Sequence, residues 1–519
     1  MKKIIAVALC IIMMVSMMSF NFAVSAEEYG LMSDVYVSPS GTDRATGLEN
    51  DPCTLARAYV LVKDGGTIHI DGTVVLPEGF KFSDYEKAVT IVGDDKASDI
   101  IDFSAIPDNI ILGGDTAFDY VTLKFSENNT VYASGYALAI GENCATINEI
   151  YVYGGKTQNG VVTGDTSVTL LSGTYKGVYG GGYISTVKGN TNVVIGGSAN
   201  VNGTANEIKH QIYGAGYGGT VEKNTYVWLG GDANRATCSF DESSHDSNIH
   251  YVFGGGFNCN ILGSTNVTVT GNAIAHYVYG GMHGDPENFH GGIKNGSNVI
   301  MTGGRVYGIY GASARNTQNS DVNVIMTGGT VSQIIGGASG SNHVGNVNIK
   351  LLGGTVTRRI FGGCYNDWSF SWKSDYFVNG YITLTVGEKK DVTIALNQND
   401  DNAFTAHSRR GTVANEEKGV VVFTSSEAEA DYIGKFNTGS SLVGTGKPAY
   451  DSYSVKAFAV GDANLDGEVT NADVLAVMQN IYSPEKYPLF VDSVADVNAD
   501  NDVTSVDLLI IYKMIYNAD

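Results

Sequence analysis

The sequence predicts a mainly β chain: a parallel β-helix solenoid with an N-terminal helix cap, followed by a small all-α domain at the C-terminus. Three observations carry that expectation. Glycine supplies 66 of 519 residues against only 8 prolines, well above the roughly 7% glycine of an average protein. A large apolar residue followed by glycine recurs through the middle of the chain. Near the C-terminus two short segments set oxygen-bearing side chains at every second position, and an apolar stripe of helical spacing follows each.

The chain opens with Lys2-Lys3, runs apolar from Ile4 to Phe22 and reaches Ala23-Val24-Ser25-Ala26. A basic start, an apolar stretch and a small-x-small end predict a secretory signal peptide over residues 1–26. No later stretch is long and apolar enough for a bilayer span, so the expected product is soluble and extracellular. The formal net charge is −22, or −24 without the two lysines of the leader. Nucleic acid is excluded as a partner on that balance, because phosphate binding needs clustered Lys and Arg. Cys53, Cys144, Cys238, Cys259 and Cys364 remain after Cys10 leaves with the leader, an odd and scattered set that is no disulfide framework. Stability must come from a large buried core.

The recurring mark falls at Tyr153, Tyr179, Tyr213, Phe253, Tyr279, Tyr310, Ile335 and Phe361, with shortest steps of 25 or 26 residues. Longer steps hold polar insertions such as Asp241-Glu-Ser-Ser-His245. Between the marks lies a second strand ending in Gly-Gly, as in Asn192-Val-Val-Ile-Gly-Gly, Asn298-Val-Ile-Met-Thr-Gly-Gly and Asn348-Ile-Lys-Leu-Leu-Gly-Gly. Each period therefore holds short β-branched strands and no helical pattern, the content of one solenoid coil. Such short strands bury no core alone; stacking coils pairs their backbones and lays like residues over like. The residue before each mark is Val152, Val178, Ile212, Val252, Val278, Ile309, Ile334 or Ile360, an aliphatic column expected in the core. A propeller is the competing architecture, but its blades need roughly 40 residues and four strands each.

Upstream, Val35-Tyr-Val-Ser-Pro-Ser-Gly41, the helix-like Thr54-Leu-Ala-Arg-Ala-Tyr-Val-Leu-Val62 and Gly65-Gly-Thr-Ile-His-Ile-Asp71 follow in order. This run resembles the opening of right-handed parallel β-helix proteins of the pectate-lyase-like superfamily, which implies that the short helix covers the open end of the core. From about Trp368 the repeat decays, and residues 370–459 are expected to hold the final coils, a cap and a short connection.

The C-terminal segments are Asp462-Ala-Asn-Leu-Asp466-Gly467 and Asp496-Val-Asn-Ala-Asp500-Asn501. In the first, Asp462, Asn464, Asp466, Thr470 and Asp473 offer side-chain oxygens, with Glu468 offering its carbonyl. In the second, Asp496, Asn498, Asp500, Thr504 and Asp507 do so, with Asp502 in the carbonyl position. Calcium takes six to eight hard oxygens around a tight turn, and these spacings supply them in order. Gly467 provides the turn, and Asn501 replaces it with the next best residue for left-handed backbone. The stripes Val474-Leu-Ala-Val-Met478 with Ile481, and Leu508-Leu-Ile-Ile-Tyr-Lys-Met514, predict one helix after each loop.

Two loop-helix units starting 34 residues apart closely resemble a type I dockerin module. The resemblance implies two calcium ions, and a cohesin module of a scaffoldin or cell-surface protein as partner, with contacts at Asn471, Ala472, Ser505 and Val506. It also implies a cellulosome-type assembly. The expected organisation is leader 1–26, β-helix with cap and terminal coils 27–459, and dockerin 460–519.

What the solenoid does is less legible. Three residues before each mark runs a column of Lys176, His210, His250, His276, Tyr307, Ser332 and Arg358, with Tyr251 and Tyr277 beside it. If this column faces solvent, aromatic faces and cationic groups there suit a polysaccharide; if it faces inward, the histidines are packing groups. Metal binding by the histidines is disfavoured because no carboxylate or cysteine recurs with them. Catalysis on a polysaccharide calls for two carboxylates, or a base beside a neutralised uronate. The regular coils hold almost no acids, and Asp241, Glu242, Asp246, Asp285 and Glu287 lie in insertions, where surface loops carry acids for solubility. Two classes stay open: a β-helix hydrolase or lyase acting on plant polysaccharide, and a non-catalytic solenoid that binds carbohydrate or serves as an adhesin or structural component.

Overall fold

The computed structural model describes residues 31–107, 109–202, 210–235, 250–285, 291–364, 378, 380, 382–394, 404–405, 419–432, 456–463, 469–482, 495–498 and 502–516. The expected signal peptide over 1–26, the insertion acids Asp241, Glu242, Asp246 and Glu287, and Cys238 lie outside them.

Parallel strands dominate, as the repeat predicts. One face of each coil carries Thr166–Leu170, Thr191–Ile195, Thr225–Leu229 and Thr265–Val269, each paired in parallel with the next. A second face carries Tyr151–Tyr153, Gly177–Tyr179, Ile212–Tyr213, Tyr251–Phe253 and Ile274–Tyr279, also parallel. In the later coils the faces merge into the long bent strands Ser297–Tyr310, Val322–Ile335 and Val347–Phe361. A third face begins with Thr73–Val75, Ile100–Asp102, Thr122–Lys124 and Ala145–Ile147. Together these faces form a β-helix.

The aliphatic column lies in the core: Val152, Val178, Ile212, Val252, Val278, Ile309, Ile334 and Ile360 are all buried, each worth roughly 1.5–3 kcal/mol of apolar transfer. The aromatic column one residue later is buried as well. Tyr153, Tyr179, Tyr213, Phe253, Tyr279 and Tyr310 stack ring on ring at centroid separations of 4.5 to 5.0 Å, the step between adjacent strands. Consecutive residues are both buried because the chain then leaves the barrel in a lateral excursion that covers the aromatic face. Four of these excursions form their own parallel sheet of Val161–Val162, Tyr183–Val187, Tyr217–Val221 and Asn260–Ile261. Val187, Val221, Cys259, Ile261 and Met282 make a second small core beneath it.

Side-chain ladders hold the register. Asn298 donates to Asn266, Asn323 to Asn298 and Asn348 to Asn323, at 2.9, 2.9 and 3.2 Å. The glycine after each aromatic is set by close approach rather than by a turn: a Cβ on Gly180 would stand 2.1 Å from the Gly214 carbonyl oxygen, and one on Gly214 equally close to that of Gly254.

At the N-terminus the helix Leu55–Leu61 starts at Thr54, whose hydroxyl accepts from the Arg57 N–H at 3.2 Å, and buries Leu55, Ala58 and Tyr59. Tyr59 packs on Phe82 and Tyr85, so the helix joins the end of the core. At the other end Ile382–Val386, Gly419–Phe423 and Lys456–Ala459 continue the first face. Two helices follow, Asn471–Tyr482 and Ser505–Tyr516. They enclose a small core of Ala463, Val477, Ala495 and Ile511.

Candidate functional site

In the C-terminal unit the helices hold the last acid of each loop in the first turn. Asp473 Oδ2 accepts from the Thr470 N–H at 2.7 Å, and Asp507 Oδ2 from the Thr504 N–H at 2.9 Å. The second loop adds a bond from the Asn498 N–H to Asp507 Oδ1 at 3.2 Å. Asp462, Asp473 and Asp507 are fully buried, and Asp496 is 5% exposed. Four buried carboxylates in so small a unit are costly without positive charge, since a buried ion must be paired or bound to metal. Asp496 lies 3.4 Å from Lys350 Nζ of the solenoid.

The donor set is hard oxygen throughout, which suits calcium rather than a softer metal. Asn464, Asp466, Glu468 and Asp500 lie outside the described residues, and among those described no three acids, histidines or cysteines gather into a metal cluster. Asn471, Ala472, Ser505 and Val506 are all exposed at the helix starts. Asn471 Nδ2 donates to Tyr516 Oη at 3.0 Å, so one helix start is tied to the end of the other helix.

The structure is thus a β-helix followed by a small two-helix unit that buries the last acid of each loop. Residues 460–516 match the family model of the Dockerin type I domain. Type I dockerins bind calcium and dock to cohesins, so the match supports cellulosome-type docking through this unit. No curated protein and no solved structure matches the sequence. Among the described residues no helix is long and apolar enough to cross a membrane.

The polar column of the solenoid does not form one open face: His250 and Tyr251 follow the inward alternative, while Lys176, His210, His276, Tyr277 and Arg358 are half-buried. His250 is buried, with Nδ1 donating to the Val201 carbonyl at 2.5 Å, and its ring stacks on His276 at 5.9 Å. Tyr251 is buried too and stacks on Tyr277, which meets Tyr307 edge-on. Arg358 donates to Tyr307 Oη at 2.6 Å, Lys176 to the Glu127 carbonyl at 2.9 Å, and the half-buried His210 packs beside Tyr151. These side chains spend their polar groups on one another and on the backbone.

Burial pushes the Cys259 and Cys364 thiols up to about 12, so both stay protonated and inert. His283 is the opposite case. Burial, helped by the Arg315 charge and opposed by Asp285, holds it down at about 4, and it stacks on Phe257 as a neutral ring.

Sequence reasoning missed a cleft of about 790 Å³ across the lateral excursions, with Lys294 and Arg315 in its wall. No period marks it, because excursions of unequal length build it.

Proposed function

We propose that this chain is a secreted cellulosome-type subunit, with a leader over 1–26 and a β-helix over 27–459 carried by a dockerin over 460–519. Two calcium ions build the dockerin. Asp462, Asn464, Asp466, Thr470, Asp473 and the Glu468 carbonyl take the first; Asp496, Asn498, Asp500, Thr504, Asp507 and Asp502 in the carbonyl position take the second. Asn471, Ala472, Ser505 and Val506 then meet the cohesin. The observation that carries this reading is the burial of Asp462, Asp473, Asp496 and Asp507, a concentration of negative charge that a divalent cation stabilises.

The β-helix is the cargo, and we assign it to binding plant polysaccharide at the surface of the assembly. Docking to a scaffold favours such a cargo, because tethering raises the effective concentration of each binding surface at an insoluble substrate.

Capture of the full chain on immobilised type I cohesins tests the docking. Retention in calcium, release by chelator and loss in an Asp473→Ala, Asp507→Ala double variant are expected. Retention by no cohesin, or retention indifferent to calcium and to both substitutions, would sink the reading.

A further inference from the structure

Lys350 breaks a pattern on the outer side of the first β-helix face. The outward residues stacked in register along that face are Thr169, Val194, Trp228, Thr268, Ile300 and Ile325, then Lys350 and Thr385. Every other member of that row is uncharged. Although it stands on an outer face, the Lys350 side chain is only 13% exposed. An ammonium so far withdrawn from water needs a partner that offsets its lost hydration.

That partner comes from the far end of the chain. Lys350 Nζ donates to Asp496 Oδ2 at 3.4 Å, across 146 residues of sequence, and the Asp496 side chain is 3% exposed. Asp496 is the first acid of the second loop. The C-terminal unit reaches Lys350 by folding back. The strands Val347–Phe361, Ile382–Val386, Gly419–Phe423 and Lys456–Ala459 pair in that order, and Asp462 follows almost directly on Ala459. Asp496 therefore meets the solenoid three strand steps, or about 14 Å, back from its last strand.

The same face is closed to solvent beside this contact. On the strand next to Lys350, the outward Thr383 and Thr385 are 2% and 6% exposed. Further back, Asn298 and Asn323 in the row of Thr383 are half-buried, and Ile300 in the row of Lys350 is exposed. Lys350 and Asp496 thus form a buried pair, for which losing one partner is costly, rather than a surface pair of little consequence.

A metal ion in the second loop draws on the same carboxylate. Lys350 and a divalent cation each neutralise a charge that burial penalises, and each repels the other. We propose that Lys350 is a counter-ion supplied by the β-helix to the second calcium loop: it pairs with Asp496 while that loop is empty, competes with calcium for the carboxylate and loses it when the loop fills. The proposal rests on the reading of these loops as calcium sites. The solenoid thereby raises the calcium concentration at which the second loop fills. By linkage, whatever Lys350 takes from the calcium affinity, calcium takes from the contact between module and solenoid.

The test is calorimetric titration of calcium into the metal-free full chain and its Lys350→Met variant, together with reductive methylation of Lys350 read by mass spectrometry. Methionine keeps the length of the side chain and suits a row that holds Ile300 and Ile325. Two uptake steps are expected in the wild-type chain, with the weaker one lost in Asp507→Ala. Lys350→Met should tighten that weaker step by about tenfold or more and leave the tighter one unchanged. In the wild-type chain the methylation rate of Lys350 should rise by about tenfold between half and full saturation, as the ammonium is freed. A weaker step unmoved by Lys350→Met, or methylation indifferent to the second ion, would overturn the competition and leave the calcium sites standing. Uptake in a single step, or loss of the tighter step in Asp507→Ala, would do the same. Uptake by neither chain would overturn the proposal together with the reading it rests on.

Discussion

The Thr166 hydroxyl donates to the Gly180 carbonyl at 2.6 Å, joining the start of one β-helix face to the end of another, one coil on. Thr191, Thr225 and Thr265 repeat the bond to Gly214, Gly254 and Gly280. All four threonines are buried. In later coils Val322 and Val347 take the same register position, so a valine fits there by shape. Thr225→Val should therefore fold and lose about 1–3 kcal/mol, the cost of a buried acceptor left unmet. Chemical denaturation against wild type measures it, and an unchanged midpoint would dismiss the bond as a stabilising contact.

The glycine beside that bond predicts a sharper effect. A Cβ at Gly214 would meet a neighbouring backbone oxygen at 2.1 Å, whereas at Gly164 nothing lies within 4 Å. Gly214→Ala should force two coils apart and cost about 1–3 kcal/mol or more, with a lowered melting temperature. Gly164→Ala should be close to neutral. Equal melting of the two variants would contradict the close-packed account of the aromatic-glycine mark.

His283 makes the lateral core sensitive to acid. Its folded value of about 4 lies below the ordinary 6.5, so the unfolded chain takes up the proton first. Its contribution is complete above pH 6.5 and is lost as pH falls towards 4, by roughly 3 kcal/mol at most. His283→Phe keeps the stack on Phe257 and the edge contact with Phe253. That variant should flatten the fall in melting temperature between pH 6.5 and 4; an unaltered slope would assign the acid lability elsewhere.

Much of the fold was legible because stacking makes each core position recur at one place in the repeat. The column from Val152 to Ile360 was found by that recurrence, and the helix after Thr54 by its helix-like run within the N-terminal resemblance. Tyr153 and its partners were seen only as a mark. Strand alternation puts neighbours on opposite faces, so sequence alone does not reveal that the excursions bury the second face. The same blindness explains the polar column, where His250 turns inward while His276 is half exposed. The dockerin module was legible because its pattern is local in sequence. The cleft was not, because Lys294 and Arg315 come to one cleft wall only after excursions of different lengths stack.

The central claim is that calcium builds the C-terminal module around Asp462, Asp473, Asp496 and Asp507. Calorimetric titration of calcium into the metal-free full chain, with helical circular dichroism followed in parallel, tests it most directly. The account predicts saturable uptake of about two ions with a gain in helicity as the helices Asn471–Tyr482 and Ser505–Tyr516 form. Both signals should be lost in the Asp473→Ala, Asp507→Ala double variant. Titration without calcium uptake, or uptake unchanged in that variant, would contradict it.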